Sequence, residues 1–244
     1  MLEICNHSTK GIYRFIFVNP FGLYKNKIVF SGLENIKDCC KMKITRDDLL
    51  IAAFKLFMSV NYEKASFAEL GKMLGMSKAG IFKYYKNKQE LFIAVVDRFL
   101  FSTQNPRNKF TETGSTFAEF IDEYVKGVQR TMDMIYKLLE KDVAQEQFSP
   151  NAKYFHFLFQ VFQYYPDAQE KLRNLATGDY AYWRAAIQRA VDTGELKKDT
   201  DVEEAVVMFR QVYMGLSFEM AFMGGLDTRE LFKHLYAIYS LLKS

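Results

Sequence analysis

From Thr45 onward, a residue suited to cap a helix recurs with an acid three positions behind it: Thr45/Asp48, Ser66/Glu69, Asn87/Glu90, Thr116/Glu119, Thr200/Glu203 and Asp227/Glu230. The cap oxygen accepts from an unpaired N–H of the first turn, and the acid reaches back to the cap's own N–H, so each pair starts a helix. Leu226 and Leu231 add an apolar staple around Asp227. Pro150 and Pro166 stand where a helix opens, at a position whose N–H needs no partner. Gly194 closes the helix that holds Trp183. With only four prolines in 244 residues, long helices are seldom interrupted. The signals predict helices near 45–60, 66–73, 78–84, 88–104, 116–148 (with a break), 150–164, 166–193, 200–223 and 228–243. Connections this short leave little room for a sheet, and the expected fold class is all-α.

Residues 1–41 read differently. Gly11–Phe17 and Lys27–Phe30 are rich in β-branched and aromatic residues and are separated by Asn-Pro and Gly, which suggests one or two short strands. Met42 directly precedes Lys43-Ile44-Thr45, a natural beginning for the helical part. Residues 1–41 are therefore expected to be an accessory arm, with an upstream mis-assigned start as the other reading. Cys5, Cys39 and Cys40 all lie in this arm, with no Cys-x-x-Cys pair, a usage that fits a reducing, cytoplasmic setting. The apolar stretch Ile12–Val18 is short and lacks a cleavage pattern, so no secretory signal is expected. No apolar run reaches the roughly 18–20 residues of a membrane span, and no membrane partner is expected.

Charge is distributed unevenly. Lys and Arg exceed Asp and Glu by 10 to 6 over residues 42–100, whereas over residues 101–244 the balance is 17 to 20. A basic front and a mildly acidic remainder suit a nucleic-acid-binding head on a body with another task.

The head has a recognisable grammar between Ala65 and Leu91. Two short helices flank Leu74-Gly75-Met76-Ser77, where Gly75 can turn left-handed and Ser77 can cap the second helix. Phe67, Leu70 and Leu74 share one face of the first helix, and Ile81 and Tyr85 lie a turn apart on the second. Packing those faces together turns the other side of the second helix outward. Its small residues Ala79 and Gly80 let the backbone approach base edges in a major groove. Lys78, Lys83, Lys86 and Lys88 fall within eleven residues that contain no acid, each within reach of a phosphate. Tyr84 is expected on the exposed side with its hydroxyl free for a phosphate, and the helix starts at Ser66 and Asn87 offer N–H groups to the same end. A lysine cluster alone is usually a solvated face. The turn, the cap, the apolar spacing and the lysines together point to a helix-turn-helix.

On these residues, Thr45 to Leu91 resembles the N-terminal domain of the tetracycline-repressor (TetR) family. Asp48-Leu-Leu-Ile-Ala-Ala-Phe-Lys-Leu-Phe followed by Asn61-Tyr62 resembles that family's first helix and its exit. The resemblance implies a three-helix DNA-binding domain over residues 42–91 and a helical bundle for effector binding and dimerisation over 92–244, with residues 1–41 left as an extension of unknown role. It implies a homodimer reading a near-palindromic duplex operator, a repressor by family habit, released by a small-molecule effector. Carried over by position, Lys78, Ala79 and Gly80 face bases, with Ser77 at the helix start, while Ser66, Lys83, Tyr84 and Lys88 hold the backbone. Four positions depart from the family's habits. Gly80 stands where Thr is frequent, Phe82 where Tyr is, Tyr85 where Phe is, and Gly71 where Ala is usual. Gly inside a helix costs about 1 kcal/mol against Ala, so Gly71 predicts a looser head.

In the body, residues 154–165 form the most aromatic window. Phe155, His156, Phe159 and Phe162, with Tyr182 and Trp183, are the candidate lining of a pocket for an apolar or aromatic ligand. Ordinary core packing is the competing reading of each ring. The last two helices are expected to pair two chains, by resemblance and by two apolar stripes. Met208, Val212, Leu216 and Met220 mark one stripe, and Leu231, Leu235 and Ile238 the other. No enzyme is expected: His7, His156 and His234 are far apart, and neither a Gly-x-Ser-x-Gly elbow nor a phosphate-cradling glycine loop occurs. No metal or cofactor is expected either. The remaining rival is a helical adaptor that uses the helix-turn-helix for protein contact.

Overall fold

The computed structural model describes residues 18–19, 22–23, 44–105, 116–139 and 149–244. Its contacts divide the chain into two compact units, Met1–Lys43 and Ile44–Ser244. In the first unit, β1 (Val18–Asn19) pairs antiparallel with β2 (Gly22–Leu23). The expected strands at Gly11–Phe17 and Lys27–Phe30, the three cysteines and His7 lie outside the described residues.

The second unit's described residues are mainly helical, with one isolated antiparallel bridge between Leu196 and Lys243. A head of α1 (Arg46–Ser59), α2 (Phe67–Leu74), α3 (Lys78–Phe82) and α4 (Lys88–Val96) comes first. α4 runs on without a cap into a wider, π-helical turn, Asp97–Ser102. The body follows as α5 (Phe117–Leu139), α6 (Pro150–Tyr164), α7 (Ala168–Asp192), α8 (Val202–Ala221) and α9 (Thr228–Leu242). The part of the expected 116–148 helix beyond Leu139 is outside the described residues.

Caps form where the local chemistry called for them. Thr45 and Asp48 make a reciprocal box: the Thr45 hydroxyl accepts from Asp48 N, and Thr45 N donates to the Asp48 carboxylate at 2.9 Å. Thr116 and Glu119 do the same. Ser149 caps α6 with Pro150 at its first position. Two expected starts shift. α8 is capped by Asp201, which accepts from Glu204 N at 3.1 Å, rather than by Thr200. Glu203 turns instead to Arg184, 2.7 Å from Nη2. α7 begins after Asp167, whose φ of 54° is left-handed, and not at Pro166.

Two apolar cores result. In the head, Leu49, Phe54, Phe57, Leu70, Ile81, Tyr85, Phe92 and Val95 are buried together, and α6 contributes Phe157 and Val161 to the same cluster. Phe157 meets Phe54 edge-on at 5.3 Å, and the Gln160 amide donates to the Phe57 carbonyl at 2.9 Å near the end of α1. The body core is built on Trp183 stacked against Phe209 at 5.0 Å, with Phe117, Tyr124, Leu231 and Leu235 around it. Gly194, at φ 77°, turns the chain so that Glu195 reaches the start of α5. There its carboxylate accepts from Phe117 N at 2.7 Å and Ala118 N at 3.1 Å, a negative charge on a helix N-terminus.

Gly71 corrects the expectation of a looser head. A Cβ at this position would lie 2.6 Å from the Met76 carbonyl oxygen, so the missing side chain is what lets the turn close against α2. Gly71→Ala, which helix propensity alone would favour, is expected to destabilise the protein by about 1–3 kcal/mol through overpacking. Chemical denaturation checks this; an increase in stability would contradict it.

Candidate functional site

The turn is built as its residues require. Gly75 sits at φ 63°, ψ 27°, a left-handed conformation open to glycine without strain, and its N–H closes α2 on the Gly71 carbonyl. Met76 N donates to the same carbonyl at 2.9 Å. The Ser77 hydroxyl accepts from Gly80 N at 3.1 Å and starts α3. Ile81 and Tyr85 are buried beneath, which leaves Ser77, Lys78, Ala79 and Lys83 exposed and Gly80 half-exposed. Lys78, Lys83 and Lys86 make no ion pair among the described residues. The result is a short helix whose outer surface is small at its start and cationic at its edges. Such a surface can enter a duplex groove and neutralise phosphates beside it.

Three backbone-holding candidates are otherwise engaged. The Tyr84 hydroxyl donates to the Ile44 carbonyl at 3.0 Å, and the ring is half-buried rather than exposed. Lys88 donates to the Tyr62 carbonyl at 2.8 Å and the Glu63 carbonyl at 3.1 Å, with its ammonium 4.5 Å from the Tyr62 ring centre. The Ser66 hydroxyl accepts from Glu69 N and donates to the Glu69 carboxylate at 3.0 Å, which sets a negative charge beside that helix start. These side chains tie the head together; their carbonyl partners, distant in sequence, could not be read from it. Tyr85, the unusual residue where Phe is common, uses its hydroxyl to accept from Arg46 Nε at 3.0 Å. Phe82 and Met73, which the sequence reading did not select, are exposed by 45% and 48% beside the lysines. Phe82 rests edge-on against Phe67, with Lys78 Nζ 5.8 Å from its ring centre.

The body holds a cavity of about 210 Å³. Apolar walls come from Val128, Met132, Ile135, Leu158, Leu172 and Leu175, and Leu100 and Gln104 bring in the chain that follows α4. Its polar groups include Asp179 and Arg210, both buried, with Arg210 Nη1 3.1 Å from Asp179 Oδ2. Burial pushes the Tyr213 hydroxyl up to about 12, so it stays protonated at neutral pH. Of the expected lining residues only Phe155 is here. His156, Phe159 and Phe162 are exposed, the two phenylalanines by 65% and 61%. Trp183 is fully buried in the body core, and Tyr182 packs against that core. The physical reason is helical: α6 carries rings on every side, Tyr154, Phe157 and Val161 go to the head core, and 159 and 162 fall opposite.

The dimerisation candidates also divide. Leu231, Leu235 and Ile238 are buried inside the protomer, so they cannot meet a second chain, a correction to the expected interface. Val212, Leu216 and Met220 are half-buried against the same core, and Met208 is exposed. The outward face of α8 instead carries Met208, Gly215 and Phe218, with Phe222 just past its end 74% exposed. Nothing lies within 4 Å of where a Gly215 Cβ would be.

Residues 49–95 match the family model described as bacterial regulatory proteins, tetR family. Among solved structures, the chain is similar to the TetR-family transcriptional regulator PfmR from Thermus thermophilus, at TM-score 0.56 and 18% identity, covering 79% of this chain and 95% of that one. It is similar to the ketosteroid transcriptional regulator KstR2 of Mycobacterium tuberculosis, at TM-score 0.58 and 11% identity, covering 84% and 97%. A transcriptional regulator from Saccharomonospora viridis, solved in complex with choline, is similar at TM-score 0.53 and 16% identity, covering 79% and 93%. At these identities the structures speak for the fold. No described helix is long and apolar enough to cross a membrane.

The two kinds of lysine separate by experiment. Lys78→Gln and Lys83→Gln are expected to leave stability unchanged and to lower the salt dependence of duplex binding, each by about one unit of slope. Lys88→Met is expected to cost about 1–2 kcal/mol of stability through two lost charge-assisted hydrogen bonds. Salt titrations of duplex binding beside denaturation curves check both; equal slopes for all three variants would contradict the division.

Proposed function

With the TetR-family DNA-binding domain at residues 49–95 and the fold of that family's regulators as premises, we propose that this chain is a homodimeric transcriptional repressor whose operator affinity is lowered by a small molecule. The observation that carries the reading is the outward face from Ser77 to Lys83. It is small at its start, cationic, and free of ion pairs among the described residues, and it rests on a frame held by its own hydrogen bonds. In this reading Lys78, Ala79 and Gly80 face base edges, while Ser77 and Lys83 meet phosphates, and the exposed Phe82 and Met73 lie against the sugar edges. Duplex DNA is the first partner.

A second copy of the chain is the second partner. The outer face of α8 supports it, with Met208, Phe218 and Phe222 exposed and Gly215 leaving room at the middle of the helix for close approach. Two heads on one twofold axis suit a near-palindromic site.

The effector is the third. The cavity in the body touches Leu100 and Gln104, and Gln104 donates to the Tyr154 hydroxyl at 3.1 Å. Leu100 belongs to the π-helical turn Asp97–Ser102 that follows α4, a geometry often found where a helix must adjust. A ligand that fits better when this wall is displaced shifts the heads away from their operator spacing, and only that difference in affinity can drive release.

Selection of bound sequences from a random duplex pool tests this function and its symmetry together. The expected outcome is an inverted repeat whose half-sites are about one helical turn, or a multiple of it, apart. Recovery of no enriched duplex would overturn the reading.

A further inference from the structure

The seat of the second copy follows from which helix faces the protomer leaves bare, an inference that rests on the homodimer reading above. Along α6, Phe155, Phe159 and Phe162 recur at spacings of four and three, so they share one stripe of the helix. The opposite side, with Phe157, Gln160 and Val161, is buried, and Phe157 and Val161 belong to the head core. Phe159 and Phe162 therefore project away from the head, with Phe155 half-buried beside them. Along α8 and just past its end, Met208, Gln211, Gly215, Phe218 and Phe222 are all exposed, at spacings of three, four, three and four. That is the spacing of a seam that packs against other helices.

The two stripes are joined. Phe155 meets Phe218 edge-on at 5.4 Å, and Phe218 meets Phe222 in the same way at 5.2 Å. One aromatic surface thus runs from α6 onto α8. Neither stripe contains a charged residue, so a twofold axis can set this surface against its own copy without repulsion. Gly215, with nothing within 4 Å of where its Cβ would be, leaves room for a close crossing in the middle of α8. The outer side of α9 is of another kind. Arg229, Glu230, Lys233 and His234 are exposed over its first two turns, and its large exposed apolar residues are Tyr236 and Leu241. Charged residues are depleted where an interface is fully buried.

Area points the same way. A stable interface takes about 800 Å² from each partner, a little over half of it apolar. Phe218 and Phe222 keep 45% and 74% of their surface exposed, and Phe159 and Phe162 keep 65% and 61%. At roughly 200 Å² a ring, the four together offer about 500 Å², half of it on α6. They match the apolar part of such an interface by themselves. A single exposed ring needs no explanation, but a joined patch of this size marks a contact site.

We propose that the second copy packs across α6 and α8, in a four-helix arrangement that leaves α9 at its edge. Phe159 and Phe162 are then buried against the partner. The partner braces α6 on the side opposite the one that seats the head.

The test places the photoreactive residue p-benzoylphenylalanine at position 159 of the full chain and, in a second sample, at position 236. Products of irradiation are sized on a denaturing gel, and the joined peptides are identified by mass spectrometry. Position 159 is expected to give a dimer-sized product that joins α6 to α6 or α8 of a second chain, and position 236 to give little. Sedimentation supplies a second readout. Phe159→Ser/Phe162→Ser is expected to raise the dimer dissociation constant at least about a hundredfold, since two rings are lost from each partner, while Tyr236→Ser/Leu241→Ser changes it less than about threefold. Dimer-sized product from position 236 but not 159, joining from 159 only within its own chain, or dissociation insensitive to the α6 pair would each overturn the proposal. In those cases a wild-type dimer still stands, and only its interface is wrong. A wild-type chain that sediments as a monomer at micromolar concentration overturns the homodimer reading and this seat with it.

Discussion

The contact on which the architecture depends is the seat of the head on α6. Phe157 is fully buried between Phe54 of α1 and Phe92 of α4, with centroids at 5.3 and 6.0 Å. One turn on, Gln160 supplies a donor to the Phe57 carbonyl, one of the last carbonyls of α1, which has no intrahelical partner of its own. Tyr164 completes the row, stacked on Tyr62 at 4.4 Å with its hydroxyl donating to Glu63 at 2.7 Å. A head of four short helices this size buries too little surface to be rigid alone. By sharing its core with a long helix of the body, it gains a fixed floor from which α2 and α3 project.

That floor explains why the outer surface can be so sparsely braced. Tyr84, Tyr85, Arg46 and Lys88 satisfy one another or nearby carbonyls below the turn, so α3 needs only the Ser77 cap and the burial of Ile81 to hold its place. The lysines above make no ion pair among the described residues, which leaves their charge available to phosphates. In the proposed reading, the same floor would tie ligand to DNA. α6 offers one side to the head core through Phe157 and another to the cavity through Phe155 and Leu158, while Leu100 and Gln104 line the cavity from the chain that follows α4. On that proposal, an occupant would touch two elements that also contact the head core.

Local chemistry was legible from sequence. The caps at Thr45, Ser66, Ser77 and Asn87, and the left-handed glycines 75 and 194, act within four residues of themselves, and the pattern Phe67, Leu70, Ile81, Tyr85 marked the inner face of the turn correctly. Where two capping residues adjoin, as at Thr200 and Asp201, spacing alone does not choose between them. The body was harder for a definite reason. In residues 154–165 a ring stands at more than half the positions, so hydrophobic periodicity has no contrast, and the outward Phe159 and Phe162 look like the inward Phe157. The stripe on α9 was apolar because it is core, not because it is an interface. Arg210 and Asp179 sit on different helices, and only packing brings them together, although a charge beside Phe209 in an apolar stripe was a signal that went unread. Lys88 and Tyr84 engage carbonyls 26 and 40 residues away, beyond any local rule.

The central claim is that the face from Ser77 to Lys83 meets duplex DNA while the polar groups beneath it hold the head together. Lysine acylation followed by mass spectrometry, on the free chain and on the chain bound to its selected duplex, tests this residue by residue. Lys78 and Lys83 should react readily in the free protein and become protected on the duplex, while Lys88, held by two carbonyls, reacts slowly in both. Equal modification of Lys78 and Lys83 with and without bound DNA would contradict the account.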